Sequence, residues 1–184
     1  MTHWRLRLAA RAVRRGGVIA YPTEAVYGLG CDPRDPIAVL DLLALKSRPV
    51  HKGLILIAAD FAQLRPFVQE AAAGRMAEVL ASWPGPHTWL LPARAQTPEW
   101  LTGEHPTLAV RVTAHPVARA LCRLVGPLVS TSANPAGRQP ARDPLSVRRY
   151  FGDALDLVLA GPVDRTRGPS AIRDAASGRL LRVG

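Results

Sequence analysis

The segment LKSRPVHKGLILIAA, residues 45–59, combines the features on which the fold and the function of this chain depend. Its second half, GLILIAA, is an apolar run without alternation, which is typical of a strand buried on both faces of a sheet. Its first half carries Lys46 and Lys52, the only two lysines among 24 lysine and arginine residues. The segment therefore predicts a buried strand that is preceded by concentrated positive charge.

The chain before this segment follows an alternating pattern. A helix capped by Thr2 is predicted to run until Gly16, because apolar residues recur there at helical spacing, and a strand follows at residues 18–21. Pro22 is expected to end that strand and to open a loop that continues to Gly30, whose glycines permit tight turns.

Further helices and strands alternate along the rest of the chain. Helices are predicted at 36–45 behind an Asp35 cap, at 60–81 with a break near Pro66 and Gly74, at 115–124 and at 144–151. Strands are predicted at 88–91, 108–112, 128–130, 157–159 and 180–183. With no internal repeat and no low-complexity linker, the 184 residues are expected to form a single α/β domain, 1–184, with a largely buried mixed sheet.

The composition of the chain limits which cellular compartment and which kinds of binding partner are expected. The longest apolar stretch, residues 53–59, is far shorter than the ~20 residues of a membrane-spanning helix, and the arginine-rich N-terminus lacks the apolar core of a signal peptide. A cytoplasmic protein is expected. The formal net charge of +10 favours an anionic partner such as nucleotide phosphate, RNA or an acidic protein. An arginine-rich proteome would produce the same charge without any ligand.

Common catalytic and nucleotide-binding motifs are absent from the sequence. Lys46 and Ser47 lack the preceding glycines of a phosphate-binding loop, and Pro33 stands where a dinucleotide fingerprint requires its third glycine. Ser132 lacks the flanking glycines of a nucleophile elbow, and no histidine or cysteine pair has zinc-ligand spacing. No protein-bound metal is predicted.

Polar segments nevertheless stand beside the predicted strands, where α/β proteins usually bind ligands. The hydroxyls and amide of STSAN, residues 130–134, either bind a polar ligand or cap the following turn. Arg111 lies within an apolar strand, where a guanidinium requires a partner such as a carboxylate, either from a ligand or from a structural salt bridge. Thr23 and Glu24 are either site residues or turn formers.

The lysine segment favours a phosphate site. Lys46, Arg48 and Lys52 gather positive charge at a helix end and before the buried strand. Cations at a helix C-terminus also complement its dipole, which is the alternative for Lys46 alone. Lysine offers a compact ammonium on a flexible stem, so it is not equivalent to arginine where space around a phosphate is tight.

Several motifs in a fixed order resemble a known family. These motifs are YPTEAVYGLGCD, LKSRPVHKGLILIAA, SWPGPHTWLLPA, LAVRVTAHP, LVSTSANPAG and PSAIRDAASGRLLRVG. In order and spacing they resemble the short bacterial threonylcarbamoyl-AMP synthases of the TsaC/YrdC type, from about residue 10 to the C-terminus. The pairing of KxR with SAN, together with PTE, carries the resemblance.

The resemblance implies a fold, a reaction and partners. It implies a YrdC-like twisted mixed sheet flanked by helices, with a basic concave surface that holds ATP, L-threonine and bicarbonate or carbon dioxide. The product would be threonylcarbamoyladenylate, with release of diphosphate, and Mg²⁺ would accompany the ATP phosphates. A separate tRNA threonylcarbamoyl transferase complex would consume the adenylate, and contact with tRNA is also expected.

The resemblance also assigns residues to the two substrates. Lys46 and Arg48 would be catalytic and would hold the ATP phosphates together with Lys52. The remaining nucleotide-binding residues would be Thr107, Ser132, Asn134 and Arg182. The threonine-binding residues would be Thr23, Arg111, Ser130 and Ser170, with Arg111 pairing the substrate carboxylate. Where relatives often read SANLSG, Pro135 and Ala136 precede Gly137, so a hydroxyl on that side of the pocket is missing.

Two other functions are compatible with parts of the sequence. A module that binds double-stranded RNA or tRNA without catalysis is favoured by the basic charge, although 5% aromatic residues argue against readout of single strands by stacking. A carbamoyl-transfer module like that of hydrogenase maturation factors would be accompanied by further modules, for which 184 residues leave no room.

Overall fold

The computed structural model describes residues 3–164, 166, 168 and 170–183. The α-helices are α1 His3–Arg14, α2 Pro36–Leu45, α3 Ala73–Ala81, α4 Glu99–Thr102, α5 Pro116–Val125 and α6 Pro144–Phe151. The strands are β1 Ile19–Pro22, β2 Tyr27–Gly30, β3 Ile55–Ala58, β4 His87–Pro92, β5 Thr107–Val112, β6 Leu128–Ser132, β7 Leu157–Val158, β8 Ala171–Asp174 and β9 Leu180–Arg182. Short 3₁₀ helices cover Val50–Lys52, Phe61–Gln63 and Gly152–Ala154. The predicted cap at Thr2 lies outside the described residues.

The strands form one mixed sheet in the order β7-β1-β2-β6-β3-β5-β4-β8-β9. Three neighbouring pairs, β1 with β7, β3 with β5 and β4 with β8, are parallel, and the other pairs are antiparallel. The prediction of an α/β fold with a mixed sheet is therefore confirmed. Among the described residues, no helix is both long enough and apolar enough to span a bilayer.

Strand β3 occupies the centre of this sheet, between β6 and β5. Leu56 and Ala58 pack into the larger core, on the side of α2, whereas Ile57 packs into a second core with α1 and α5. All three side chains are completely buried. Because both faces of β3 are covered by apolar side chains, its sequence does not alternate, as the GLILIAA pattern predicted.

The segment predicted as a loop between Pro22 and Gly30 contains strand β2, so that prediction was wrong in its second half. Pro22 ends β1, as predicted, and it pairs with Tyr27 as the last residue of that strand. Gly28 and Gly30 serve close packing here, since a Cβ at Gly30 would collide with the carbonyl oxygen of Val129 on β6. The glycines alone suggest a turn, but glycine is required here because strand β6 approaches the backbone of β2 closely.

Most other elements agree with the sequence pattern, and one region differs. Asp35 caps α2 by accepting hydrogen bonds from the backbone of Ile37 and Ala38, as predicted. The helix predicted at 60–81 is wrong over 64–72, which is irregular and forms a β-bridge between Val68 and Ala93. Pro66 cannot donate a helical hydrogen bond, so tertiary pairing determines the conformation there. Strand β8 and helix α4 were not predicted.

Candidate active site

A cavity of about 210 Å³ lies against strands β3, β5 and β6, which contribute Ile55, Arg111 and Ser130 to its wall. The turn between β1 and β2, the segment around Ser170 and strand β9 complete its walls. The cavity is lined by these predicted site residues: Thr23, Arg48, Arg111, Ser130, Ser132, Ser170 and Arg182. The sheet therefore brings together residues that are distant in the sequence.

Arg111 is the most deeply buried cation of the cavity wall, with 7% of the residue exposed. It lies on β5, opposite Ile57 of the central strand. Its Nη2 is 3.4 Å from Oε2 of Glu24, and its Nε has no hydrogen-bond partner among the described residues. The carboxylate that the sequence required for Arg111 is therefore supplied in part by Glu24, and the buried Nε is left without a hydrogen bond among the described residues.

Glu24 is held in place by one of its two carboxylate oxygens. Oε1 accepts hydrogen bonds from the Thr113 hydroxyl at 2.8 Å and from the Ala114 backbone at 3.0 Å, whereas Oε2 has no hydrogen-bond partner. Burial alone would raise the pKa of Glu24, but the charge of Arg111 and these hydrogen bonds outweigh it and lower the pKa overall. Glu24 is therefore an anion at neutral pH.

Hydroxyl groups line the wall near this ion pair. Thr23 donates its hydroxyl proton to the carbonyl of Val26 at 2.7 Å, which closes the turn between β1 and β2. The Ser130 hydroxyl lies next to the position where a side chain at Gly28 would begin, 3.3 Å away, so glycine keeps this hydroxyl accessible. The hydroxyls of Ser170 and Thr88 are hydrogen-bonded at 3.1 Å. Thr23 thus forms the turn and also lines the cavity, while its role in ligand binding stays a prediction.

Lys46 does not line the cavity directly. Only 6% of the residue is exposed, and its ammonium donates to the backbone carbonyls of Ser132 and of Asn134, the latter at 2.7 Å. Burial, assisted by the nearby charge of Arg48, lowers the pKa of Lys46 to about 8. Lys46 thus joins the end of α2 to the STSAN segment behind the cavity wall.

Asn134 is also held by the backbone around it. Its Nδ2 donates to the carbonyl of Arg138 at 2.8 Å, and its buried Oδ1 has no partner among the described residues. Asn134 therefore stabilises the turn that follows STSAN, whereas Ser132 lines the cavity, and ligand binding by this segment stays a prediction.

Arg48 separates this cavity from a second one. Its Nη2 donates to the Gly53 carbonyl at 2.9 Å, and burial lowers its pKa. The second cavity, about 290 Å³, shares Arg48 and Arg182 with the first and adds Lys52 and Thr107 to its walls. The structure therefore places Lys52 and Thr107 beyond Arg48, close to the first cavity but outside it.

The sequence analysis missed part of the site. Glu24 was treated as a turn former or a site residue without an assigned role, and Thr88 was not considered. An arginine in an apolar strand requires a carboxylate, and Glu24 lies three residues after a predicted strand, so the sequence contained one sign of this pair. Thr88 gave no such sign, since threonine is common in strands.

The described residues contain no group of three or more histidine, cysteine, aspartate or glutamate side chains that could hold a metal ion. Glu24 is the only carboxylate among the described residues that line the first cavity. A hard cation such as Mg²⁺ prefers several oxygen ligands and retains water, so it would be held mainly by phosphate oxygens of a ligand.

The fold and the cavity together define an α/β protein with a predominantly cationic candidate site against its central strands. Comparison with known proteins identifies the family. The chain belongs to the Sua5/YciO/YrdC family, whose profile, described as telomere recombination, matches residues 11–184.

Relatives cover nearly the whole chain. The threonylcarbamoyl-AMP synthase of Nitrosococcus oceani is 56% identical over 181 residues, 98% of each chain. The threonylcarbamoyl-AMP synthase of Stutzerimonas stutzeri is 55% identical over 179 residues, 97% of each chain. The solved structure of P. abyssi Sua5 complexed with L-threonine matches 95% of this chain with a TM-score of 0.87 and 35% identity. This chain spans about half, 52%, of that protein.

Proposed function

We propose that this protein is a threonylcarbamoyl-AMP synthase, a nucleotidyltransferase that makes L-threonylcarbamoyladenylate from ATP, L-threonine and bicarbonate or carbon dioxide and releases diphosphate. The observation that carries the proposal is Arg111. A buried guanidinium with a free Nε, facing a cavity rich in hydroxyls, is suited to an amino-acid carboxylate. The names of the relatives, and the threonine complex of P. abyssi Sua5, support the same reaction.

The two cavities suggest how the substrates would be divided. L-Threonine would occupy the first cavity, with its carboxylate on Arg111 and with Thr23, Ser130 and Ser170 around it. This cavity of about 210 Å³ suits a small amino acid better than a nucleotide.

ATP would extend across the boundary between the two cavities. Its phosphates would lie at Arg48, near the Lys46 and Lys52 ends of the segment that precedes β3. Ser132, Asn134, Thr107 and Arg182 would complete the nucleotide site. Arg48 and Arg182 line both cavities, which supports placing the reacting phosphate between them.

The chemistry requires anions to be brought together. The threonine amine loses a proton and attacks carbon dioxide, and the resulting carbamate oxygen attacks the α-phosphate of ATP while the bond to the β-phosphate breaks and diphosphate leaves. Positively charged side chains that are already in place would supply most of the catalysis, because little covalent work falls to the protein. Mg²⁺, when present, would arrive with ATP and neutralise phosphate charge.

The product implies a later step and a compartment. We propose that a tRNA threonylcarbamoyl transferase complex consumes the adenylate in the cytoplasm. The formal net charge of +10 favours contact with tRNA and keeps RNA binding as the second candidate function. RNA binding without catalysis would require tight tRNA binding that persists at physiological salt in the absence of ATP.

Diphosphate release tests the synthase directly. The purified protein is expected to convert ATP to diphosphate only when L-threonine and bicarbonate are both present. Equal diphosphate release after omission of either substrate would contradict the proposal. The single-omission reactions serve as matched controls, because each retains the protein, ATP and metal at the same concentrations.

A further inference from the structure

One carboxylate stands among three arginines in the wall of the first cavity. Arg48, Arg111 and Arg182 provide the positive charge, and Glu24 is the only acidic side chain among the described lining residues. A site for ligands that carry only negative charge gains nothing from a buried carboxylate, because like charges repel strongly where water is excluded. Glu24 therefore indicates that the ligand brings a positive group to this end of the cavity.

Glu24 has one oxygen available for such a group. Oε1 is occupied by the Thr113 hydroxyl and the Ala114 backbone, whereas Oε2 is buried without a hydrogen bond. The Nη2 of Arg111 lies 3.4 Å from Oε2, close enough for an ion pair but longer than a normal hydrogen bond between charged groups. A buried carboxylate oxygen that accepts no hydrogen bond lowers the stability of the folded protein, unless a bound ligand donates that hydrogen bond.

The Arg111–Glu24 pair thus offers a free donor and a free acceptor side by side. The Arg111 Nε and the Glu24 Oε2 are both buried and both lack hydrogen-bond partners among the described residues. An α-amino acid carries a carboxylate and an ammonium on the same carbon. The carboxylate is complementary in charge to Arg111 and the ammonium to Glu24, and the two groups lie close together, as Arg111 and Glu24 do.

We propose that Glu24 is a specificity-determining residue that binds the α-ammonium group of the amino acid while Arg111 binds its carboxylate, so that the pair selects zwitterionic α-amino acids. This inference rests on the proposed threonine site and adds a residue to it. The alternative role for Glu24 is purely structural, as the neutralising partner of Arg111.

The ionisation of Glu24 is consistent with a holding role. Its lowered pKa makes it a weak proton acceptor, so it would orient the ammonium group, and the proton released before attack on carbon dioxide would pass to solvent. Loss of Glu24 should consequently raise the KM for threonine more than it lowers kcat.

Titration calorimetry with two ligands tests the proposal. L-Threonine is compared with the corresponding 2,3-dihydroxybutyrate, in which a hydroxyl replaces the ammonium. The wild-type protein is expected to bind L-threonine at least about 10-fold more tightly, since a hydrogen-bonded charged group in a buried site contributes on that order. Equal affinity for the two ligands would overturn the proposal without any mutation.

Glu24→Gln gives the matching variant test. The amide retains an oxygen for Thr113 and Ala114 but lacks the charge, so the preference for L-threonine over dihydroxybutyrate should fall about 10- to 100-fold. The affinity for dihydroxybutyrate itself should rise, because its carboxylate is no longer repelled by Glu24. Glu70→Gln is the matched control, since it neutralises an exposed glutamate paired with Arg65. Unchanged preference for L-threonine in Glu24→Gln would show that Glu24 only neutralises Arg111.

The outcomes separate this inference from the proposed function. Threonine- and bicarbonate-dependent diphosphate release by the wild type, together with equal binding of the two ligands, would sustain the synthase and overturn the role of Glu24. Absence of that diphosphate release would overturn the synthase itself. If Glu24→Gln does not fold, as judged by its thermal unfolding, the comparison of ligands on the wild type still decides the inference.

Discussion

Two arginine–glutamate pairs in this protein have nearly the same separation and very different surroundings. Arg65 and Glu70 lie 3.3 Å apart with 62% and 54% of their side chains exposed, whereas Arg111 and Glu24 lie 3.4 Å apart with 8% and 10% exposed. Water and salt screen the first pair, so it contributes little to stability. In the second pair, each charge depends on the other, because burial has removed its hydration.

Two lysines and two glycines show the same contrast between closely packed and open surroundings. Lys46 is buried behind the cavity wall, whereas Lys52 is exposed at the end of the same segment. Gly30 packs against the carbonyl of Val129, whereas a Cβ at Gly74 would meet nothing within 4 Å. Identical residues thus have different roles, according to what surrounds them, and substitutions can test each pair.

The largest expected effect is at the buried ion pair. Arg111→Ala leaves the Glu24 carboxylate buried without its partner and should lower the free energy of unfolding by about 3–5 kcal/mol, besides removing threonine binding. Arg65→Ala, at the exposed pair, should cost less than about 1 kcal/mol. Chemical denaturation of both variants measures the difference, and similar losses would show that burial does not distinguish the two pairs.

Lys46 couples the stability of the folded protein to pH. The pKa of Lys46 falls from 10.5 to about 8 in the folded protein, so the unfolded chain binds more protons between these pH values. Lys46 therefore makes stability rise as pH increases from about 8 to 10.5, and that contribution is lost as pH falls through 8. Its slope is at most about 1.4 kcal/mol per pH unit.

Lys46→Met should remove this part of the pH dependence. The measurement is the free energy of unfolding of the variant and the wild type at several pH values between 7 and 10.5, as an order-of-magnitude test of the linkage. Lys52→Met is the control, because its side chain is exposed and its removal leaves Lys46 in place. Parallel pH profiles for Lys46→Met and the wild type would contradict the expectation.

The smallest effects are expected at the glycines, and they should have opposite signs. Gly30→Ala introduces a Cβ against the Val129 carbonyl and the Tyr21 ring, so it should destabilise the fold by about 1–3 kcal/mol. Gly74→Ala, within α3, should stabilise the protein by up to about 1 kcal/mol, since alanine favours helix and space is free. Thermal unfolding of both variants is sufficient, and a stabilised Gly30→Ala protein would contradict the packing described for β2.

Local patterns predicted much of the fold. The unbroken apolar run at 53–59 indicated a strand covered on both faces, and β3 lies at the centre of the sheet with a core on each side. Asp35 indicated the start of α2, and the pattern at 144–151 matched α6 at both ends. These predictions succeed because capping and burial of one face are determined by residues close together in the sequence.

The candidate site was predictable in composition but less so in arrangement. Seven of the assigned residues line one cavity: Thr23, Arg48, Arg111, Ser130, Ser132, Ser170 and Arg182. The resemblance to a family grouped these residues, whereas their chemistry alone left turn caps and salt bridges as alternatives. Their roles in binding ATP and threonine stay predictions until the variants are measured.

The sequence by itself determined that this chain forms an α/β sheet around an apolar central strand, with cations at the entry to that strand. Only the tertiary structure decided that β2 is a strand, that Lys46 reaches the Ser132 carbonyl 86 residues away, and that Glu24 meets Thr113 89 residues away and lies beside Arg111. The physical reason is that these contacts depend on strand pairing between distant segments. The partner of a buried charge is therefore a residue that the sheet brings close to it. The residues adjacent to that charge in the sequence do not identify this partner.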